Sequence, residues 1–178
     1  MNRRFRLTLP VVLLVALLPA RVRAQEEKPF QIAVFNPIQI YDEATPIVIF
    51  RLNLLYGKNA YVKGLDLGLV NHTTRGTTKG VQYGLVGYDE ADFVGWQDNF
   101  VNVTQGRFQG YQSGLFNSVG GGEGFQLGLV NVNQGSFSGL QVSLVNVAED
   151  LYGIQLGLVN IIKSKDKLPF FPIVNWKF

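Results

Sequence analysis

The chain has 178 residues and a formal net charge of +3, with 47% hydrophobic residues, one histidine and no cysteine. A sequence without cysteine excludes a disulfide framework, so stability must come from burial and backbone pairing. Five of the sixteen basic residues lie before residue 25 and all thirteen acidic residues lie after it, so residues 25–178 carry a net charge of −2. This charge argues against nucleic-acid binding.

The first 24 residues have the layout of a secretory signal peptide. Arg3, Arg4 and Arg6 precede an apolar run, and the segment ends in the small-residue pattern Val22-Arg23-Ala24. The apolar run, residues 7–20, is shorter than the ~20 residues that a membrane-spanning helix needs. We therefore expect cleavage after Ala24, export from the cytoplasm, and a single β-repeat domain over residues 25–178.

The rest of the sequence repeats one eight-residue word, G-x-Q-x-G-L-V-N. After the second copy, each copy follows the last by 14 to 16 residues. We number the positions of the word one to eight, and a column is the set of residues at the same position in successive copies. The ten copies begin at Pro29, Ile49, Gly64, Gly80, Gly95, Gly110, Gly124, Gly139, Gly153 and Leu168.

The columns alternate in polarity along each word. Columns two, four and six are apolar apart from Asp98 and Ser113, whereas columns one, three and five are mostly glycine or polar. This period of two predicts β-strands with one apolar and one polar face, and no helix. Clusters of Gly, Asn and Asp between the words predict short turns, and the segment "YDEAD", which contains Asp89, is expected to be a solvated turn.

Ten such strands can close as an up-and-down antiparallel barrel, which removes the exposed strand edges. The apolar columns would then face lipid, and the polar columns would line the lumen. Strands of about eleven residues suffice for the ~25 Å apolar band of an outer membrane. This all-β barrel is the favoured prediction. The residues expected to line its lumen are Gln31, Arg51, Asp66, Gln82, Gln97, Gln112, Gln126, Gln141 and Gln155.

A parallel β-solenoid with one word per coil and the leucines inside is the alternative fold. Identical positions would then stack, and the asparagines of column eight would form a hydrogen-bonded ladder. The Gln/Gly face would lie outside. The expected ladder contains Asn36, Asn71, Asn102, Asn117, Asn131, Asn146, Asn160 and Asn175.

Two resemblances concern the cellular location. The C-terminal segment "FPIVNWKF" resembles the last strand of bacterial outer-membrane barrels, which implies that Trp176 and Phe178 form a signal for a barrel-insertion machinery. The tandem words after a signal peptide resemble a bacterial surface-repeat family over residues 29–178. That resemblance implies a cell-envelope location, and it implies no established activity and no catalytic residue.

Residues with catalytic or metal-binding chemistry are sparse. His72 lies in the polar segment "NHTTRGTT" without a second histidine or a cysteine, so we expect a solvated residue rather than a metal ligand. The segment "GGGEG" lacks the Lys-Ser/Thr of a phosphate-binding loop. Arg51 and Asp66 share column three on adjacent strands, either as an ion pair or as two unrelated charges on a wet face. We expect no catalytic residue, metal site or cofactor.

The sequence therefore predicts a non-enzymatic outer-membrane β-barrel of structural or narrow-pore type. Its partners would be membrane lipid and the barrel-insertion machinery, and no nucleic acid. The alternative is a secreted or surface β-solenoid that binds a protein partner or a glycan through its Gln/Gly face. Asp98 fits the barrel poorly, because a carboxylate on the lipid-facing surface is unfavourable.

Overall fold

The computed structural model describes residues 26–178, so the predicted signal peptide, residues 1–24, lies outside the described residues. The described chain is a β-solenoid of about nine turns. Its strands form one sheet in the order β2-β1-β3-β4-β5-β6-β7-β8. The strands are β1 (Lys28–Phe35), β2 (Ile38–Gln39), β3 (Ile47–Asn59), β4 (Val62–Thr73), β5 (Thr77–Asp89), β6 (Asp92–Val142), β7 (Val145–Ile162) and β8 (Phe170–Lys177).

Successive words stack in parallel and in register. Gln82 pairs with Asp66 on one side and with Gln97 on the other, and the same relation holds from β1 and β3 through to β7. The strand β6 is one extended segment of 51 residues that continues through several coils. The antiparallel ten-stranded barrel predicted from the sequence is therefore wrong. Parallel stacking places each side chain beside its own counterpart, which allows identical amides to bond to each other.

Both ends of the stack carry an antiparallel strand. The two-residue strand β2 pairs with β1, and β8 pairs with β7. The tenth word, which begins at Leu168, is thus not a further parallel coil. An antiparallel strand at each end interrupts the repeating edge on which another solenoid could continue.

The polar face lies inside the solenoid, opposite to the alternative prediction that placed the leucines there. The glutamines of column three and most asparagines of column eight are fully buried. Apolar side chains outside the eight-residue word fill much of the remaining interior, beside buried polar residues such as Thr73 and Asp89. This apolar cluster consists of Phe93, Phe108, Val119, Phe137, Ala148, Leu151 and Ile162.

The described residues contain strands, turns and bends and no helix, as the period of two predicts. Within this range, no helix has the length and apolarity that crossing a membrane requires. The outward side chains of columns two, four and six are mostly exposed leucine, valine and aromatic residues. The fold therefore separates the two classes of side chain as the sequence pattern predicts. The polar columns lie inside, as in the predicted barrel and opposite to the predicted solenoid.

Glycine occupies column one because the backbone there has a positive φ and no room for a Cβ. At Gly110 φ is +137°, and an added Cβ would lie 1.9 Å from the carbonyl oxygen of Gly95 in the preceding coil. Ile49 stands in the same column with φ of 112° and is 68% exposed. A β-branched residue in that conformation is strained. The repeat is thus least well matched to its backbone at Ile49.

Removing a glycine from column one and introducing one there should change the stability of the fold in opposite directions. We expect Gly110→Ala to lower the free energy of unfolding by about 3 kcal/mol or more, because it adds backbone strain to a steric clash. Ile49→Gly should raise it by about 1 kcal/mol, because relief of strain exceeds the entropy cost of glycine. Urea denaturation measures both, and destabilisation by Ile49→Gly would contradict this interpretation.

Candidate functional site

The column-three glutamines form a continuous hydrogen-bonded ladder through the interior. Each Nε2 donates to the Oε1 of the glutamine in the preceding coil, with distances between 2.7 and 3.1 Å from Gln155 down to Gln82. All these bonds point towards the N-terminus. Each inner amide is therefore both donor and acceptor, which offsets the cost of burying it.

A buried ion pair ends this ladder. Gln82 donates to Oδ2 of Asp66 at 3.1 Å, and Arg51 binds the same carboxylate through Nε and one terminal nitrogen, both at 2.7 Å. Arg51 and Asp66 are at most 1% exposed, and Arg51 also donates to the carbonyl oxygen of His72. The pairing considered from the sequence is formed. Asp66 accepts the hydrogen bond of the last glutamine amide, and Arg51 supplies the cation that the buried Asp66 carboxylate needs.

The column-eight asparagines form a second ladder with the opposite direction. From Asn102 to Asn160, each Nδ2 donates to the Oδ1 of the asparagine in the following coil, at 2.8 to 3.0 Å. The expected asparagine ladder is confirmed over this range. Asn36 instead donates to Glu43 at the surface, and Asn175 on the antiparallel strand donates to a backbone carbonyl of Asn160.

The coil that begins at Gly80 interrupts the asparagine ladder, because Gly87 stands in column eight. Asn99, which replaces the column-five glycine of the next coil, compensates: its Nδ2 donates to Asn102 at 2.7 Å and to Gln82 at 3.2 Å. A Cβ at Gly87 would meet this amide nitrogen at 2.5 Å. The two exceptions to the word, Gly87 and Asn99, are thus spatially complementary.

Asp89 is a second buried carboxylate beside the glutamine ladder. It accepts hydrogen bonds from the Thr73 hydroxyl and from Nε2 of Gln97, the latter at 2.7 Å. Burial, together with the nearby Asp66, raises the pKa of Asp89 to about 7, although the hydrogen bond from Thr73 and the charge of Arg51 oppose the rise. The sequence placed this residue in a solvated turn, and that expectation is wrong because Asp89 belongs to β5 and points inward.

His72 is also not the solvated loop residue expected from the sequence. It lies at the end of β4, with Nδ1 2.7 Å from the Tyr56 hydroxyl and Nε2 2.7 Å from Glu90. Burial lowers the pKa of His72, and the hydrogen bond to Glu90 opposes this shift. Burial raises the pKa of Tyr56, which keeps the phenol protonated. In the described part of the chain, no three His, Cys, Asp or Glu side chains form a metal-binding group.

The nine residues expected to line a barrel lumen all lie buried inside the solenoid. Eight of them follow one another from Arg51 to Gln155, and Gln31 instead bonds to the backbone of Tyr41. None presents its side chain to a ligand from outside. Trp176 on β8 and Phe178 after it are 52% and 72% exposed, and their proposed role as an insertion signal stays a prediction.

The surface open to a partner is the apolar outer face, which we define as columns two, four and six of the coils that begin at Gly64 to Gly153. All seven residues of column six are exposed, by 43 to 64%. Trp96, Tyr111 and Phe125 follow one another along column two, with ring centroids 5.4 and 5.5 Å apart in edge-to-face and tilted contacts. Column six of the outer face consists of Leu69, Leu85, Phe100, Leu115, Leu129, Leu144 and Leu158.

A groove follows the outer face between columns four and six. Its floor is column five, where Gly84, Gly114 and Gly128 have no side chain. One part of the groove has a volume of about 370 Å³, and Asp98 and Ser113 lie on its column-four wall. Two features of the sequence indicate this groove, and sequence reasoning did not connect them: the glycine of column five between two leucines, and the polar exceptions in column four.

Comparison with models of protein families, with curated proteins and with solved structures finds no match to this chain.

The buried ion pair predicts a non-additive pair of substitutions. Arg51→Met alone should lower the free energy of unfolding by about 3–5 kcal/mol, because it leaves the Asp66 carboxylate buried without its cation. Adding Asp66→Asn should restore part of the loss, since an amide oxygen still accepts from Gln82. Thermal and urea denaturation measure both variants, and equal losses in the single and double variants would contradict the pairing.

Asp89 predicts a pH dependence of stability. Its pKa rises from the ordinary 3.8 to about 7 on folding, so protonation favours the folded state. The stabilisation is complete below about pH 4 and is lost as the pH rises to about 7. Asp89→Asn should reduce this decline in the free energy of unfolding, measured by urea titrations at several pH values. Asp166→Asn, in an exposed turn, is the matched control and should leave the decline unchanged.

Proposed function

We propose that the protein is an exported, non-enzymatic β-solenoid of the cell envelope that binds a lipid surface through its outer face. The observation that carries this proposal is the uninterrupted exposure of apolar side chains along column six. Seven coils spaced ~4.8 Å apart, with about five residues across the face, give on the order of 500 Å² of planar area. Soluble monomers rarely expose larger continuous apolar patches, and such patches mark interaction surfaces.

The charged side chains support an oriented contact with lipid. Exposed Lys79, Arg107, Glu123 and Lys163 lie in the segments between the words, outside columns two, four and six. One side of each coil is therefore polar and another is apolar, which is the distribution that places an element in the plane of a membrane interface. Trp96 and Tyr111 occupy column two, the outer-face column nearest these segments, and such amphipathic rings favour the interface.

The proposal replaces contact through the Gln/Gly face. The column-three glutamines are fully buried, and their amides already bond to one another. A partner or a glycan at that face would have to disrupt the interior. The outer face offers apolar contact without such a disruption, and the predicted signal peptide agrees with a location where lipid is accessible.

Charged substitutions on the outer face test this function. Leu115→Lys with Leu129→Lys should weaken binding to vesicles of phosphatidylcholine and phosphatidylethanolamine by at least about tenfold, because each leucine loses its apolar contact and a charge replaces it. Flotation of the full chain with the vesicles measures binding. Both side chains are exposed, so circular dichroism should show an unchanged fold.

The matched control is Gln105→Lys with Gln109→Lys, which adds the same two charges at exposed positions outside the outer face. It should float like the unmodified chain. Failure of the unmodified chain to float with any vesicle, or equal flotation of the double variant, would contradict the proposed function.

A further inference from the structure

The groove of the outer face continues from the part that contains Asp98 towards the C-terminal strand. A second depression of about 390 Å³ lies along the same columns, between Leu144 and Leu158 on one side and Val142 and Leu156 on the other. It reaches Ile173 and Val174 of β8. From the coil of Asp98 to β8 there are five inter-strand steps, or about 24 Å at ~4.8 Å each. This exceeds the ~15 Å that one leaflet of a ~30 Å hydrocarbon core requires of an acyl chain.

The two ends of the groove differ in chemistry. At the β8 end the lining residues are leucine, valine, isoleucine and a glycine, with Ser143 as the polar member. At the other end Asp98 and Ser113 are neighbours in column four, facing Phe100 and Leu115 across Asn99 and Gly114 of column five. The groove is therefore amphipathic along its length, with an apolar channel at one end and a carboxylate with a hydroxyl at the other.

Asp98 needs a partner from outside the chain when the outer face is covered. It is the one charged residue in columns two, four and six of the coils that begin at Gly64 to Gly153. It takes part in none of the ion pairs within residues 26–178. Covering an unpaired carboxylate with apolar groups is unfavourable. The occupant of the groove must therefore bring a cation or a strong hydrogen-bond donor to this point.

This requirement separates the possible occupants. A second copy packed face to face brings apolar side chains and another Asp98, and no basic residue from the same columns. An anionic lipid brings a like charge. A lipid with a primary ammonium group brings both an acyl chain for the apolar channel and three N–H donors for the carboxylate.

We infer that the groove binds one acyl chain of a membrane lipid whose headgroup carries a primary ammonium, such as phosphatidylethanolamine. The ammonium donates to Asp98 and lies beside the Ser113 hydroxyl, and the acyl chain follows column five towards Val174. This inference rests on the proposed function and adds to it the lipid class that the outer face selects.

Vesicles of three compositions test the lipid class: phosphatidylcholine alone, phosphatidylcholine with one-third phosphatidylethanolamine, and phosphatidylcholine with one-third phosphatidylglycerol. In flotation assays, the full chain should bind the phosphatidylethanolamine vesicles about tenfold more tightly than the other two, the size of one charge-assisted hydrogen bond. Asp98→Asn should abolish this preference and retain binding to phosphatidylcholine. Asp166→Asn, which removes the same charge from an exposed turn, should retain the preference.

The outcomes separate the inference from the function on which it rests. Binding to all three vesicles with equal affinity, or an unchanged preference in Asp98→Asn, overturns the ammonium site and leaves lipid binding intact. Binding to none of the vesicles overturns the proposed function itself. A loss of binding to every vesicle in Asp98→Asn also overturns the inference, because removal of one charge should affect only the choice of lipid.

Discussion

Hydrogen bonds between identical amides of successive coils are the interaction on which the rest of the structure depends. Glutamine donors point towards the N-terminus and asparagine donors towards the C-terminus, so the two ladders have opposed directions within one interior. An amide can form this bond only when its counterpart lies one strand away in parallel register. The ladders therefore determine the register, and they bring the polar columns inside. The apolar columns must then face outward, where they create the surface that we propose as the lipid-binding face.

The irregular copies show how strongly the interior depends on complete hydrogen bonding. A directional ladder needs an acceptor at its end, and Asp66 provides one, with Arg51 as its cation. Where Gly87 removes an asparagine, Asn99 supplies an amide from the next coil. These substitutions lie towards the N-terminal part of the stack, whereas the copies from Gly110 to Gly153 keep the word with few changes. A buried polar interior tolerates exceptions only where another group completes the network.

The sequence predicts much of the local structure, and it predicts little about how the strands assemble and which of their faces lies inside. The period of two correctly separates leucines from glutamines, and the repeat correctly places Arg51 beside Asp66 and stacks Asn102 with Asn117. It does not say which side is interior, because an apolar face can meet lipid, a core or a partner, and a polar face can be inside when its amides bond to one another. The solenoid prediction paired the asparagine amides of column eight and did not consider that the column-three glutamines could pair in the same way inside the coil. Asp89 was missed because its neighbours in the sequence, "YDEAD", have the composition of a turn.

Parallel stacking of identical positions is the central claim, and two spin-label distances test it most directly. The chain has no cysteine, so nitroxide labels attach only to cysteines introduced for the purpose. One variant carries labels in place of Leu115 and Leu129, and a second carries them in place of Tyr111 and Phe125. In a parallel stack both pairs lie on adjacent strands, and we expect strong dipolar coupling for both, with separations near or below ~10 Å. In antiparallel strands, the offsets of the two labelled pairs from direct pairing would differ by eight residues. At least one pair would therefore be four or more residues, or about 13 Å or more, apart along the strand. A short distance for one pair and a long distance for the other would contradict the solenoid.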